Sequence, residues 1–451
     1  MKLSEIDATL RQIRVSPVKT LGQNFLHDQN LARWIVAKAE LAADDFVVEI
    51  GPGLGALTEF ALASGAHVLA LEKDARLADF LRENLRNERI EVRHGDALDF
   101  DPRELFVHGP VKLLGNLPYY VASQLLLRFI AQPSAISLGV LMLQNEMARR
   151  LSAQPRSPEY GALTLLVQSS YKVEFLRSVP KTVFLPEPEV DSALIEISPR
   201  APGELPDHDA ETFRRLVRTG FSQRRKQLRK LLRSEVPDWS AAVDDGGFDL
   251  RARAEELTLA QWIGLARIVR SPAPENRAPG DPELFPVVDQ GDQFVRLAHR
   301  AEVHGDNLRH RAVHIFLFNA AGELFLQKRS WRKDRHPGTW DSSAAGHLEG
   351  EEEYDIAAVR ELKEELGVTA KLDRVRKLGP SDQTGQEFIW LYRAQSEGPF
   401  QLEPAEIETG GFFPTDLIDR WSEARPGDFA PGFIECWKAF RETKCAGTAE
   451  R

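Results

Sequence analysis

One ten-residue stretch constrains this chain more than any other: Phe46 to Gly55, F-V-V-E-I-G-P-G-L-G. A short apolar run that opens directly into alternating glycines predicts a buried strand delivering its backbone to a ligand. Gly51, Gly53 and Gly55 lack Cβ atoms, so the main chain can turn sharply and approach a group that a side chain would hold off. A helix is expected from about Leu57, its unpaired N–H groups favouring an electron-rich group beside the loop. The next apolar run, His67 to Glu72, ends in a carboxylate about 20 residues past the loop, where an acid meets ribose hydroxyls in doubly wound sheets. A third run, from Ile90, places Asp96 on the same carboxyl edge.

The glycines are spaced G-x-G-x-G, which lacks the last interval of the dinucleotide fingerprint and argues against a pyrophosphate cofactor. With Glu49 just before it, the loop resembles the S-adenosylmethionine loop of Rossmann-like methyltransferases. The fourth run, Val111 to Tyr120, stops at Asn116-Leu117-Pro118-Tyr119, which suits an exocyclic amine on an aromatic base. The Asn116 amide oxygen and the Leu117 carbonyl can each accept one amino hydrogen and direct the nitrogen lone pair at a methyl group. Pro118 brings no competing N–H, and Tyr119 offers a ring for stacking. Such chemistry needs the base out of any helix.

Together with L-G-Q-N-F-L from Leu21, L-Q-N-E-M-A-R-R from Leu143 and V-F-L-P-E-P-E-V-D-S-A from Val183, these motifs make residues 10 to 270 resemble the small-subunit ribosomal RNA adenine dimethyltransferases. The resemblance implies conversion of two adjacent adenines near the 3' end of that RNA to N6,N6-dimethyladenine. It implies that Asn24, Leu26, Gly51, Gly53, Gly55, Glu72, Asp96 and Asn116 line the S-adenosylmethionine pocket, and that Phe184 helps Tyr119 hold the target base. The basic run Phe221 to Lys230, expected to be helical, supplies Arg224, Arg225, Lys226, Arg229 and Lys230 for RNA phosphates. Phe213, Leu216, Leu228, Leu231 and Leu232, at helical spacing, predict the core of a small all-α domain over 203–270.

At 451 residues the chain is too long for one ordinary core. Charge divides unevenly: 35 basic against 36 acidic residues up to Arg270, then 23 against 32 beyond it. Between the halves, Ser271 to Pro286 carries five prolines and reads as a semi-rigid linker. No apolar run approaches the roughly 20 residues that span a bilayer, and the N-terminus lacks signal-peptide order, so a cytoplasmic protein without a membrane partner is expected. Cys436 and Cys445 are too few for a disulfide framework.

The second half centres on Gly346 to Val368. Glu361, Glu364 and Glu365 fall at i, i+3 and i+4, so a helix stacks three carboxylates on one face, and they repel one another unless a hard cation such as magnesium or manganese joins them. Arg360 can brace the cluster. Every fixed position of the Nudix box G-x5-E-x7-R-E-U-x-E-E-x-G-U, with U aliphatic, is present: Gly346, Glu352, Arg360, Glu361, Leu362, Glu364, Glu365, Gly367 and Val368. This half therefore resembles Nudix hydrolases, which implies an α/β/α sandwich over 287–445, a diphosphate-containing small molecule as substrate, and Glu361, Glu364 and Glu365 as metal ligands, with Glu361 also catalytic and Glu406 or Glu408 a further candidate. L-R-H-R-A-V-H from Leu308 and W-D-S-S-A-A-G-H from Trp340 are similar to the isopentenyl-diphosphate isomerase branch, but Ala345 stands where that branch has its catalytic cysteine. His310 and His347 are expected to assist metal binding.

The expectation is thus an α/β chain: a Rossmann-like methyltransferase domain over 1–202, the small helical domain, the linker over 271–286 and a Nudix sandwich. It would act as a monomer on small-subunit RNA or the assembling 30S particle. Two alternatives stand beside it: an adenine methyltransferase of large-subunit RNA, and a second half that is a non-catalytic metabolite-binding module or isomerase-like.

Overall fold

The computed structural model describes residues 3–17, 23–206, 208–236, 238–269 and 284–448. The chain forms two compact units, Met1–Arg270 and Ser271–Arg451. Among the described residues no helix is long and apolar enough to cross a membrane.

The first unit is built on seven strands: β1 (Phe46–Ile50), β2 (His67–Glu72), β3 (Ile90–His94), β4 (Val111–Asn116), β5 (Ile136–Gln144), β6 (Tyr171–Val179) and β7 (Ser192–Pro199), in the spatial order β3-β2-β1-β4-β5-β7-β6. The first five run parallel, and β7 pairs antiparallel with both β5 and β6. Val47, Val48, Leu113 and Leu114 are buried because helices cover both faces, which is why these strands read as continuous apolar runs. The strand order reverses between β1 and β4, opening a crevice at their carboxyl ends. A two-residue ribbon, Phe25–Leu26 against Phe184–Leu185, lies apart from the main sheet. Just after it, Asp28 caps the helix Gln29–Lys38, accepting from the Asn30 and Leu31 N–H groups at 3.0 Å each. Residues 18–22, where the L-G-Q-N-F-L motif begins, lie outside the described residues.

The helices Ala210–Gly220, Leu228–Leu231, Trp239–Gly246 and Leu259–Val269 do not enclose a core of their own. Phe213, Leu216, Leu228, Leu232 and Trp262 pack with Ala153, Tyr160 and Leu165, so the expected boundary near residue 203 cuts through one hydrophobic cluster. Leu231, expected in that core, is only partly buried. Of the expected linker, residues 271–283 lie outside the described residues, and its last three residues already belong to a strand. Phe285 is 2% exposed there, and its burial outweighs the donor that Pro286 lacks.

The second unit opens with a hairpin, β8 (Leu284–Val288) and β9 (Phe294–His299), and a short helix Arg300–Gly305. Its main sheet comprises β10 (His310–Phe318), β11 (Leu324–Arg329), β12 (Trp340–Asp341), β13 (Ala344–His347), β14 (Asp373–Leu378), β15 (Glu387–Gln395) and β16 (Ile407–Phe413). The order is β12-β11-β10-β15-β14, with β13 paired to β10 and β16 to β11. Val313, Ile315 and Leu317 face the helix Tyr354–Leu366, while Phe316 and Phe318 pack against Phe433, Trp437 and Phe440 of the C-terminal helix. Helices therefore cover both faces, giving three layers. Gly367, at φ +70, ends the first of these helices in a left-handed cap.

Candidate functional site

The crevice of the first unit, about 1010 Å³ including its open mouth, is lined by Asn24, Leu26, Gly51, Gly53, Glu72, Asp96, Asn116 and Pro118. Gly51 and Gly53 hold φ of +68 and +60, and a Cβ on Gly53 would lie 3.2 Å from the Phe25 ring. The loop is fastened by Glu72: its carboxylate accepts from the Gly53 N–H at 3.0 Å and the Asp74 N–H at 2.9 Å. Burial raises the Glu72 carboxyl against those donors. Glu49, 2% exposed, accepts from the Thr58 hydroxyl at 2.6 Å. Burial pushes its carboxyl up to about 7, and the neighbouring charge of Glu72 adds to the shift. Asp96 pairs with Lys73 at 2.6 Å and accepts from the Leu98 N–H at 3.0 Å; these bonds hold its carboxyl low despite partial burial. Lys73 lines the crevice and carries no motif of its own, although it directly follows Glu72.

Gly55 does not line the crevice. At φ +85 it lies where a Cβ would be 3.2 Å from Leu81 and Leu85, so it lets the loop pack on the neighbouring helix and its end.

Asn116 ends β4 with its amide Nδ2 donating to the Asn24 carbonyl at 3.0 Å. A carbonyl can only accept, so that bond fixes which way the amide faces and leaves Oδ1 to accept from a substrate. The Leu117 N–H donates to the Met142 carbonyl at 3.0 Å, which sets the peptide ahead of Pro118. Tyr119 is held by its hydroxyl, 2.6 Å from Ser192 Oγ. Phe184 is 1% exposed, packed into the core beside Leu26 and Val179, and has no open face for a base. The exposed ring beside the motif is Tyr120, at 53%.

Only the end of the basic run, Leu228–Lys230, is helical. Arg224, Arg225 and Lys226 lie in turns before the short helix Leu228–Leu231. Arg224 is exposed but lies outside the cleft that its neighbours line: its guanidinium donates to the Pro158 carbonyl at 2.7 Å and lies 3.5 Å from Glu255. Arg225, Lys226 and Lys230 line an open cleft with Arg251 and Arg253, two residues that sequence reasoning passed over because they are isolated in the chain. Arg229 is exposed outside that lining.

In the second unit, Arg360 donates to Glu352 at 2.9 Å, Glu361 at 2.8 Å and Glu364 at 3.1 Å. Glu365 is buried and accepts from Gln327 and the Ala345 N–H, each at 3.1 Å. Burial and then the charge of Glu361 push its carboxyl up to about 8, and burial raises Glu361 as well. Lys333 pairs with Glu406 and is depressed by burial while Glu365 and Glu361 oppose the shift. Gly346 faces the Glu361 carboxylate so closely that a Cβ would lie 2.1 Å from it. The residues fit a hard divalent ion: the donor set is all oxygen, two of its acids are strained toward protonation, and the buried Gln327 Oε1 has no partner.

A doubly wound sheet with a glycine loop and an acid at the next strand end defines a Rossmann-like methyltransferase that uses S-adenosylmethionine. Residues 16–270 match the family model for ribosomal RNA adenine dimethylases, and the chain belongs to that family; residues 308–431 match the NUDIX domain. Among its relatives, the ribosomal RNA small subunit methyltransferase A of Prosthecochloris aestuarii is 41% identical over 263 residues, covering 58% of this chain and 97% of that protein. The protein of the same name from Natranaerobius thermophilus is 35% identical over 288 residues, 59% of this chain and 95% of its own. A crystal structure of the 23S rRNA methyltransferase ErmE covers 55% of this chain and 99% of its own at 30% identity and TM-score 0.46.

Proposed function

We propose that the first unit dimethylates N6 of two adjacent adenines near the 3' end of small-subunit ribosomal RNA. The observation that carries this reading is the amide of Asn116, turned by Asn24 so that its oxygen is available to a substrate amino group. S-adenosylmethionine supplies the methyl group. Gly51 and Gly53 admit the cofactor to the backbone, Glu72 takes its ribose hydroxyls, and Asp96 lies where its base would sit. Asn116 Oδ1 and the Leu117 carbonyl accept the adenine amino hydrogens, which localises the nitrogen lone pair. Tyr119 positions the base, and Arg225, Lys226 and Lys230 hold RNA phosphates. The small subunit is favoured as substrate by the names of the relatives, which the chain spans almost in full. Incubation with isolated small and large ribosomal subunits and labelled S-adenosylmethionine tests it: label is expected in dimethyladenine of the small subunit alone, and label in the large subunit would overturn it.

The second unit, in the same reading, hydrolyses a diphosphate-linked small molecule with magnesium or manganese. Glu361, Glu364 and Glu365 would hold the metal, which supplies charge for the diphosphate oxygens and an activated water. Arg360 keeps the carboxylates aligned, and Lys333 balances their charge. Ala345 has no titratable group with which to move a carbon-bound proton, so isomerisation of prenyl diphosphates is not expected. A hydrolysis screen over nucleotide sugars, dinucleotides, oxidised nucleotides and prenyl diphosphates tests this. Conversion of isopentenyl to dimethylallyl diphosphate would refute it.

A further inference from the structure

Lys73 and Tyr120 both line the crevice of the first unit, and neither the glycine loop nor the Asn116 motif accounts for them. The strand order β3-β2-β1-β4 puts β1 and its glycine loop between β2 and β4. Lys73 directly follows β2, and Tyr120 follows β4, which ends at Asn116. Neighbouring strands lie about 4.8 Å apart, so the ends of β2 and β4 stand roughly 10 Å apart with the loop between them. A contact between Lys73 and Tyr120 therefore passes over the carboxyl end of β1.

The Lys73 Nζ donates to Asp96 Oδ2 at 2.6 Å, while Asp96 Oδ1 accepts from the Leu98 N–H at 3.0 Å. The hydrogen bond to Asp96, and after it the Tyr120 hydroxyl, hold the Lys73 ammonium above its ordinary range. An ammonium has three N–H donors, enough to hold a carboxylate and a hydroxyl at once. Both Asp96 oxygens are thereby oriented, and each keeps a lone pair for a further donor. Folding does not explain this bridge. The Lys73 and Asp96 side chains are 49% and 28% exposed, where an ion pair adds little to stability, and Tyr120 lies outside the core. The Tyr119 hydroxyl is fixed to Ser192 instead, so consecutive tyrosines fasten the segment after β4 to two different partners.

We propose that Lys73 is a positioning residue for methyl transfer, joining Asp96 to Tyr120 as a strap over the bound cofactor that sets how fast the cofactor leaves. This rests on the reading of the crevice as the S-adenosylmethionine site with Asp96 at the cofactor's base. Asp96, already oriented by Lys73 and Leu98, accepts the amino group of that base without first reordering. Release requires Lys73 and Tyr120 to part, because their contact crosses the end of β1 on which the cofactor lies. Two methyl groups on one adenine consume two cofactors, and the spent one must leave between them. The strap thus acts on the interval between the first methyl group and the second.

Stopped-flow displacement of S-adenosylmethionine and of S-adenosylhomocysteine from the full-length protein tests this in Lys73→Met, Tyr120→Phe and the double variant. Lys73→Met keeps the side-chain length and removes the charge. It should release both ligands about 10-fold faster and Tyr120→Phe about 3-fold faster, with association little changed. Lys73→Met already lacks the contact that Tyr120→Phe removes, so the double variant should release no faster than Lys73→Met. Lys73→Arg, which keeps several donors, should restore slow release. Thermal midpoints should match that of the unaltered protein throughout, which separates release from folding. Unchanged release in Lys73→Met, or single-variant effects that simply add, would overturn the strap and leave the cofactor reading in place. Failure of the unaltered protein to bind S-adenosylmethionine would remove that reading, and the strap with it.

Discussion

Both units bury acidic side chains at their sites, and the two treat them in opposite ways. In the first, Glu72 is fastened by two backbone N–H groups and Glu49 by a threonine hydroxyl, neutral donors both, and Asp96 pairs with Lys73. In the second, burial raises both Glu361 and Glu365, with Glu364 adding to the first and Glu361 to the second, while Arg360 and Lys333 favour the charge of Glu361 and Lys333 that of Glu365. Acids tied to the backbone shape a cradle for an organic cofactor. Acids left to face one another store an electrostatic demand that a cation meets.

The sharpest break between the two sites is expected from Glu364→Gln/Glu365→Gln. Metal-dependent hydrolysis should fall to background, while methyl transfer is untouched. The same variant should change the pH dependence of stability without metal. The folded chain holds the Glu365 proton to about pH 8, against an ordinary 4.5, so it keeps a proton that the unfolded chain releases. Stability should therefore fall as pH rises between those values, and the variant should show a flatter slope in thermal melts. An unfolded variant would make these acids structural.

Asn116→Ala is next in size. One lost acceptor should cost on the order of 100-fold in turnover, with S-adenosylmethionine still bound. Turnover like that of the unaltered protein would remove Asn116 from the chemistry.

The third comparison separates residues within one basic run. Arg225→Ala/Lys226→Ala/Lys230→Ala should weaken RNA binding about 10-fold at moderate salt and flatten its salt dependence, since fewer counterions are released. Arg224→Ala, outside the basic cleft, should cost at most about 1 kcal/mol of stability and leave the salt slope alone. Equal slopes for the two variants would show the cleft is no phosphate track.

The smallest effect distinguishes two glycines of one loop. Gly55→Ala should cost about 1–3 kcal/mol of stability, from its positive φ and its contact with Leu81 and Leu85, with little change in cofactor affinity once folded. Gly53→Ala should lower cofactor affinity as well, because Gly53 lines the crevice and donates to Glu72. Calorimetry of cofactor binding by both variants checks this.

By itself the sequence determined what is contiguous. The strand-to-glycine transition at Ile50, the acid at Glu72, the Asn116 motif and the carboxylate ladder from Glu361 to Glu365 each follow from a period or spacing a few residues long, and local backbone geometry turns such spacing directly into position. Only the tertiary structure decided what distant segments do to one another. Gly55 packs against Leu81 and Leu85 outside the crevice lining, and the core claimed Phe184. The Pro158 carbonyl and Glu255 hold Arg224 away from the basic cleft, which Arg251 and Arg253 join. The widest gap is that between His310 and Glu387. They meet because β10 pairs with β15, and a strand's choice of partner is set by burial of the whole sheet, which no short window of residues encodes.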